Sequence, residues 1–301
     1  MSRRFSTSRG ERQLSGTPIA WRWSAQIGAN LVLAFLVLPI LAVIPTSFNE
    51  ASFISLPPAS WSLRWYGNFF ADPEWRSSLL VSLHVAVMAT AAALALGLPA
   101  ALGLQRAGPL FRPALTGLFL APMIVPVIVS AVAIYRTALD VGLNGTRIGM
   151  SLSHAALALP FVIINIGVSL RHVDRRWQQA AAGLGASSWT VFRTITLPNI
   201  IPGLVGGGVF AFITSFDEVV VAVFMAGYGA KTLPVKIWES IRLEFTPVVA
   251  VAASFMILLA ALLFILARLI DARRQRAAKT SDTAGDGIPG ETGTSEQGVS
   301  A

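Results

Sequence analysis

The sequence predicts an all-α integral membrane protein, a bundle of six transmembrane helices with an ordered loop ahead of the fifth. Two observations carry that fold class. Of the 301 residues, 54% are hydrophobic and only 13% are charged, where a soluble domain would carry about a quarter charged; the mean hydropathy is +0.66. The second observation is where the arginines stand. They flank the apolar runs instead of gathering on a soluble face, so the formal charge of +8 reads as membrane orientation and no nucleic-acid partner is expected. The chain has no cysteine, which excludes disulfides, thiol catalysis and thiolate metal sites.

Residues 1–24 are polar and basic, with Arg3, Arg4, Arg9, Arg12 and Arg22 against Glu11 alone. The first apolar run, 25–48, is too long for a signal-peptide core and leads into no soluble domain, so it is expected to stay as the first transmembrane helix. Residues 49–76 are polar and aromatic. Trp61, Trp65, Tyr66 and Trp75 favour the headgroup zone, which predicts an interfacial loop. A second span, 77–104, is followed by a short basic turn from Arg106 to Arg112. The third span, 113–137, holds Pro122 and Pro126 and is expected to be kinked within a bundle whose neighbours satisfy the freed carbonyls. The remaining spans are expected at 149–170, 202–226 and 246–270. The six-span region is thus 25–270, and a tail, 271–301, basic and then rich in Gly, Ser, Thr, Asp and Glu, is expected to be disordered.

Six spans place both termini on one side. Only Arg64, Arg76, Arg136, Arg147, Lys231, Lys236 and Arg242 of the 23 basic residues fall on the other. The excess of positive charge predicts that the termini and the 171–201 loop of this multi-pass protein face the cytoplasm.

That loop is too regular to be a simple connection. Trp177, Ala180, Ala181 and Leu184 recur at i, i+3, i+4 and i+7, one face of a helix. Gly185 suits the left-handed residue that ends such a helix. Ser187 or Ser188 suits the cap of a second short helix carrying Trp189, Phe192 and Ile195 on one side, which Leu197-Pro198 is expected to close. Two readings are open: a docking helix for a partner, or an amphipathic helix lying on lipid. The polar face offers Gln178, Gln179 and Gly183 where a lipid anchor would carry more lysine and arginine.

In its spacing this stretch resembles the EAA loop of bacterial ABC-importer permeases: Glu-Ala-Ala, three residues, Gly, nine residues, then Ile-x-Leu-Pro. Gln179-Ala180-Ala181, Gly185 and Ile195-Thr196-Leu197-Pro198 fall in register, with Gln179 where the family usually has Glu. Further on, Phe212 to Val219 and Thr232 to Trp238 look like the second permease subunit of spermidine/putrescine-type systems. The resemblance implies a type I ABC importer permease whose residues Gln179, Ala180, Ala181, Gly185, Ala186, Leu197 and Pro198 couple to an ATPase. It also implies a heterodimer with a second permease subunit, two cytoplasmic ATPase subunits carrying ATP and Mg²⁺, an external substrate-binding protein, and a polyamine or related small solute. The chain itself has no glycine loop followed by Lys-Ser/Thr for phosphate, so no bound cofactor, metal or catalytic residue is expected on it. The different classes to weigh against this are an ion-gradient-driven carrier or channel acting without an ATPase, and an intramembrane enzyme.

Asp217 and Glu218 stand in an otherwise uncharged run, 203–227. On a helix starting near Pro202 they would lie roughly 21 Å along at 1.5 Å per residue. Ionisable groups there face a cavity or a partner, which leaves three readings: a cation-attracting part of the translocation path, a structural pair with an arginine on this or a neighbouring subunit, or a span that starts later and leaves the pair nearer the interface. Gly206-Gly207-Gly208 permits close helix packing or a hinge. His84, His154 and His172 share no metal-ligand spacing. Trp238 marks a short interfacial helix on the far side from the loop, or a contact for the external protein.

Overall fold

A computed structural model describes residues 19–53, 55–58, 60–243 and 246–285. Among these residues the chain forms twelve α-helices and no strand, apart from one antiparallel bridge between Asn49 and Trp61. In order they are α1 (Ile19–Thr46), α2 (Arg64–Ala71), α3 (Pro73–Arg106), α4 (Arg112–Ile124), α5 (Val127–Asp140) and α6 (Arg147–Arg171). There follow α7 (Arg175–Gly183), α8 (Ser188–Val191), a π-helical turn (Phe192–Thr196), α9 (Leu197–Phe216), α10 (Val220–Met225), α11 (Leu233–Leu243) and α12 (Val248–Gly285). Four of the basic N-terminal residues, Arg3, Arg4, Arg9 and Arg12, and residues 286–301 of the tail lie outside the described residues.

Five stretches are long and apolar enough to cross a bilayer: Gln26–Thr46, Pro73–Arg106, Arg147–Arg171, Ser188–Phe216 and Val248–Ile270. The sixth is α4 with α5, which meet at 100°. The sequence predicts a kink in this span, and the structure has a break. Pro126 excludes helix at the residue before it, and Val125 duly leaves the helix at φ −70°, ψ 133°. Pro122, by contrast, is carried inside α4.

The core is a three-helix packing of α3, α6 and α9, built from small side chains. Ala89 and Ala93 of α3, Ala158, Val162 and Ile166 of α6, and Ile200 and Ala211 of α9 are buried together. Gly203 and Gly207, one turn apart on α9, set how closely the helices approach. A Cβ on Gly203 would lie 2.5 Å from Ser169 Oγ and 2.6 Å from the Asn165 carbonyl oxygen, and one on Gly207 3.1 Å from Val162 Cα. With little hydrophobic force between helices in lipid, such backbone proximity supplies the packing. Packing is therefore the role of the glycine run. Around this core α1 leans on α12, and none of its most apolar stretch is buried, as suits a helix apolar on every side when lipid is its solvent.

The aromatic segment before α3 departs from the expected interfacial loop. Part of it folds into α2, and Trp65 on α2 and Trp75 on the first turn of α3 are buried. Phe69 sits between Trp75 and Phe255 of α12, its ring centroid 5.7 Å and 5.3 Å from theirs. Their aromatic area holds α2 and α12 together, and Trp61 alone of these tryptophans stays exposed. At the other end of the chain α12 runs on to Gly285, past the expected end of the span at Ile270.

Replacing Gly203 with Leu overpacks the α6–α9 contact. The expected loss is about 1–3 kcal/mol, read as a lower thermal-unfolding midpoint of the detergent-solubilised protein. Gly103→Ala, whose Cβ meets nothing within 4 Å, leaves the midpoint unchanged or slightly raised. Equal midpoints for both variants would refute the packing role.

Candidate functional site: the helical loop between two core helices

The loop leaves α6 at Arg171 and returns to α9 at Leu197, so it joins two helices that are packed on each other. Asp174 starts it. Its Oδ1 accepts from the Arg176 N–H at 2.8 Å and caps α7, satisfying one of the free donors at a helix start. At the far end of α7 the Ala186 N–H donates to the Ala181 carbonyl at 3.1 Å and the Gly185 N–H to that of Ala182 at 3.0 Å. This paired closure needs a left-handed residue, and Gly185 supplies it at φ +86°. Of the two serines, Ser187 is the cap of α8, its Oγ accepting from the Thr190 N–H at 3.2 Å.

The loop's angle is thus set by its own backbone, while its large apolar side chains are left outside. Trp177 is 69% exposed, Leu184 90% and Trp189 67%. Ala180 is exposed and Ala181 half-buried. Gln178 turns inward and donates from Nε2 to Thr196 Oγ1 at 3.0 Å, tying α7 to the buried start of α9. Gln179 is exposed and, among the described residues, makes no side-chain hydrogen bond. It lines a cleft of about 690 Å³ between α7–α8 and the end of α3, together with Arg106, Arg112 and Arg175.

Leu197-Pro198 does not close the second helix, as the sequence suggests it should. The chain stays helical from Ser188 to Phe216, passing through the π-helical turn, in which the Leu197 N–H donates to the Phe192 carbonyl. A proline in a helix removes a donor and crowds the preceding turn. Placed in the first turn of α9, it follows a widened turn in which no regular bond is broken.

Asp217 and Glu218 are not on a continuous helix. Asp217 ends α9, and the Glu218 carboxylate accepts from the Val221 N–H at 2.9 Å at the start of α10. That carboxylate satisfies one of the free donors at the start of the new helix. The break parts the two residues: Asp217 lines a cavity of about 230 Å³ with Phe212, Phe216, Met256 and Ile257, while Glu218 is tied to its own backbone. Also near this end, Arg242 lies over the Trp238 ring at 4.6 Å and Lys236 pairs with Glu74, fixing α11 across the start of α3.

Sequence reasoning misses two links that position the loop. Gln178 and Thr196 are 18 residues apart and carry no common motif. His154, buried at 1% exposure, has Nδ1 2.9 Å from Ser215 Oγ and so joins α6 to α9. Only the tertiary packing brings either pair together.

A bundle of six spans with a capped, glycine-elbowed loop between two core helices is the fold of ABC-importer permeases. The chain aligns with a bacterial alginate ABC transporter, solved in complex with an alginate pentasaccharide-bound periplasmic protein, at a TM-score of 0.64 and 15% identity, covering 84% of this chain and 94% of that one. The family described as "Binding-protein-dependent transport system inner membrane component" matches residues 93–276, and the chain belongs to it. It is 33% identical to the putrescine transport system permease protein PotI of Escherichia coli strain K12, over 75% of this chain and 83% of that protein. With the spermidine/putrescine transport system permease protein PotC of Haemophilus influenzae it shares 32% identity, over 80% and 93%. The protein is a permease subunit of an ABC importer.

Gln178→Ala removes the donor to a buried hydroxyl, a change worth about 1–2 kcal/mol. Amide exchange across residues 188–196 is expected to quicken roughly tenfold. Exchange at the parent rate would show that Gln178 does not hold the loop.

Proposed function

We propose that this chain lines, together with a second permease subunit, the translocation path of a polyamine importer, and that α7 and α8 dock on a cytoplasmic ATPase. The observation that carries the docking is the exposure of Trp177, Leu184 and Trp189 on an elbow whose shape is already fixed. An ordered apolar face of this kind suits a groove on a partner, the helix-in-groove mode of recognition. One such loop per permease corresponds to two ATPase subunits, which hold the ATP and Mg²⁺. The uneven division of the basic residues supports a cytoplasmic loop and cytoplasmic termini, leaving the α11 end to the external binding protein.

Coupling then follows from what the loop connects. Closure of the ATPases pushes α7. Because α6 and α9 are packed on each other, the push moves them as one body, biasing the path between inward and outward openings.

The polyamine reading rests on the two relatives above, both polyamine permeases by name, and on Asp217. A carboxylate at the mouth of a cavity lined by Phe212 and Phe216 suits an alkyl cation, its charge by Coulomb attraction and its methylenes by apolar contact.

Deleting residues 178–188 is expected to remove the ATPase subunits from the purified complex. Trp177→Glu with Leu184→Glu, at positions already exposed, is expected to do the same without disturbing the fold. Stoichiometric ATPase on both variants would defeat the docking claim. For the substrate, Asp217→Asn is expected to lower putrescine uptake into proteoliposomes severalfold. Unchanged uptake returns Asp217 to a structural role, and an external binding protein that takes no polyamine removes the substrate assignment.

A further inference from the structure

The cleft beside Gln179 is more than the flank of the docking loop. Arg106 and Arg112 from the α3–α4 turn and Arg175 from the start of α7 line it, with Gln105, Gln178, Gln179 and Ser188 as further polar groups and no carboxylate. Among the described residues none of these arginines enters an ion pair; the three pairs are Arg136–Asp140, Lys231–Glu239 and Lys236–Glu74. Asp174, the acidic residue of the loop, caps α7 and lines a separate cleft with His172 and Trp177.

Next to the basic cleft, and sharing Gln105 and Arg112 with it, lies an apolar slot of about 220 Å³ between α3, α4 and α6. Its walls include Leu104, Phe119, Leu120, Ile163 and Ile164, with Arg171 at its rim. Gln105 Nε2 donates to the Leu170 carbonyl at 3.4 Å and holds the wall between the two spaces. The slot lies between α3, α4 and α6, and the cleft lies between the α3–α4 turn and α7–α8.

We propose that cleft and slot together form a binding site for one anionic phospholipid. The headgroup phosphate lies among Arg106, Arg112 and Arg175, and an acyl chain lies in the slot. The charge complement is one-sided, since unpaired guanidiniums offer several N–H donors in a geometry that matches phosphate oxygens. Basic pockets between membrane helices beside an apolar wall suit lipid of this charge. A free anion or an acidic peptide would fill the cleft and leave the slot unused. The site bears on coupling because Arg175 and Gln179 belong to the docking helix: a lipid there joins that helix to the α3–α4 turn. It requires neither the polyamine nor the ATPase assignment.

The test uses the whole importer in nanodiscs of equal parts phosphatidylglycerol and phosphatidylcholine, with lipid retained after detergent extraction counted by native mass spectrometry. The parent protein is expected to keep phosphatidylglycerol and release phosphatidylcholine. Arg112→Gln and Arg175→Gln are each expected to lower retention roughly fivefold, as is Gln179→Glu, which puts a carboxylate into the cleft. Gly167→Leu fills the slot and leaves the arginines untouched; a Cβ at this position meets nothing within 4 Å. It is expected to expel the lipid as well. Parent-level retention in the arginine variants and Gly167→Leu alike overturns the proposal. So does loss in the arginine variants alone with full retention in Gly167→Leu, which is the behaviour of an anion or acidic-peptide site without a lipid chain.

Discussion

The close approach of α6 and α9 is the constraint on which the rest of the molecule depends. In lipid, apolar side chains gain little by meeting one another, so a helix pair is held by the contacts it makes at short range. Gly203 and Gly207 remove the side chains that would keep the two backbones apart, and the His154–Ser215 link joins the same helices nearer the end of α9. The loop begins on one member of this pair and ends on the other. A force on α7 therefore cannot open the loop without breaking the packed seam. The easier response is movement of the pair as a unit.

What the sequence made legible was local. Gly185, the serine cap and the exposed Trp177–Leu184 face depend on residues within a few positions of one another, and the helix period and turn chemistry suffice to place them. Pro126 was legible as a disturbance, but not as a 100° break, because a proline fixes the conformation before it and not where the next helix finds its neighbours. Leu197-Pro198 escapes the sequence for a similar reason. The rule that proline ends helices assumes a regular α-turn ahead of it, and here a widened turn precedes it. Composition assigns the tryptophans of 49–76 to the headgroups, yet Trp65 of α2 and Trp75 of α3 share a buried cluster with α12, some 180 residues further along the chain. The apolar run around Asp217 and Glu218 puts both on one helix when hydropathy alone is read. That Glu218 would take the Val221 N–H as a partner is settled by backbone geometry, which a hydropathy run does not encode.

The two ends of the bundle differ in how charge is satisfied. At the end holding α11, cations and carboxylates meet: Lys236 with Glu74, Lys231 with Glu239, Arg136 with Asp140. Exposed pairs of this sort add little stability, but they leave that end without a strong field of one sign. At the loop end the arginines have no such partners among the described residues. The same uneven division of basic residues thus leaves an unbalanced positive field beside α7. A neutral Gln179 within that cleft preserves the field, where a carboxylate would offset part of it. The residue at which this loop departs from its family pattern is therefore one whose lack of charge has a physical consequence: it leaves the arginines around it free for an anion from outside the chain.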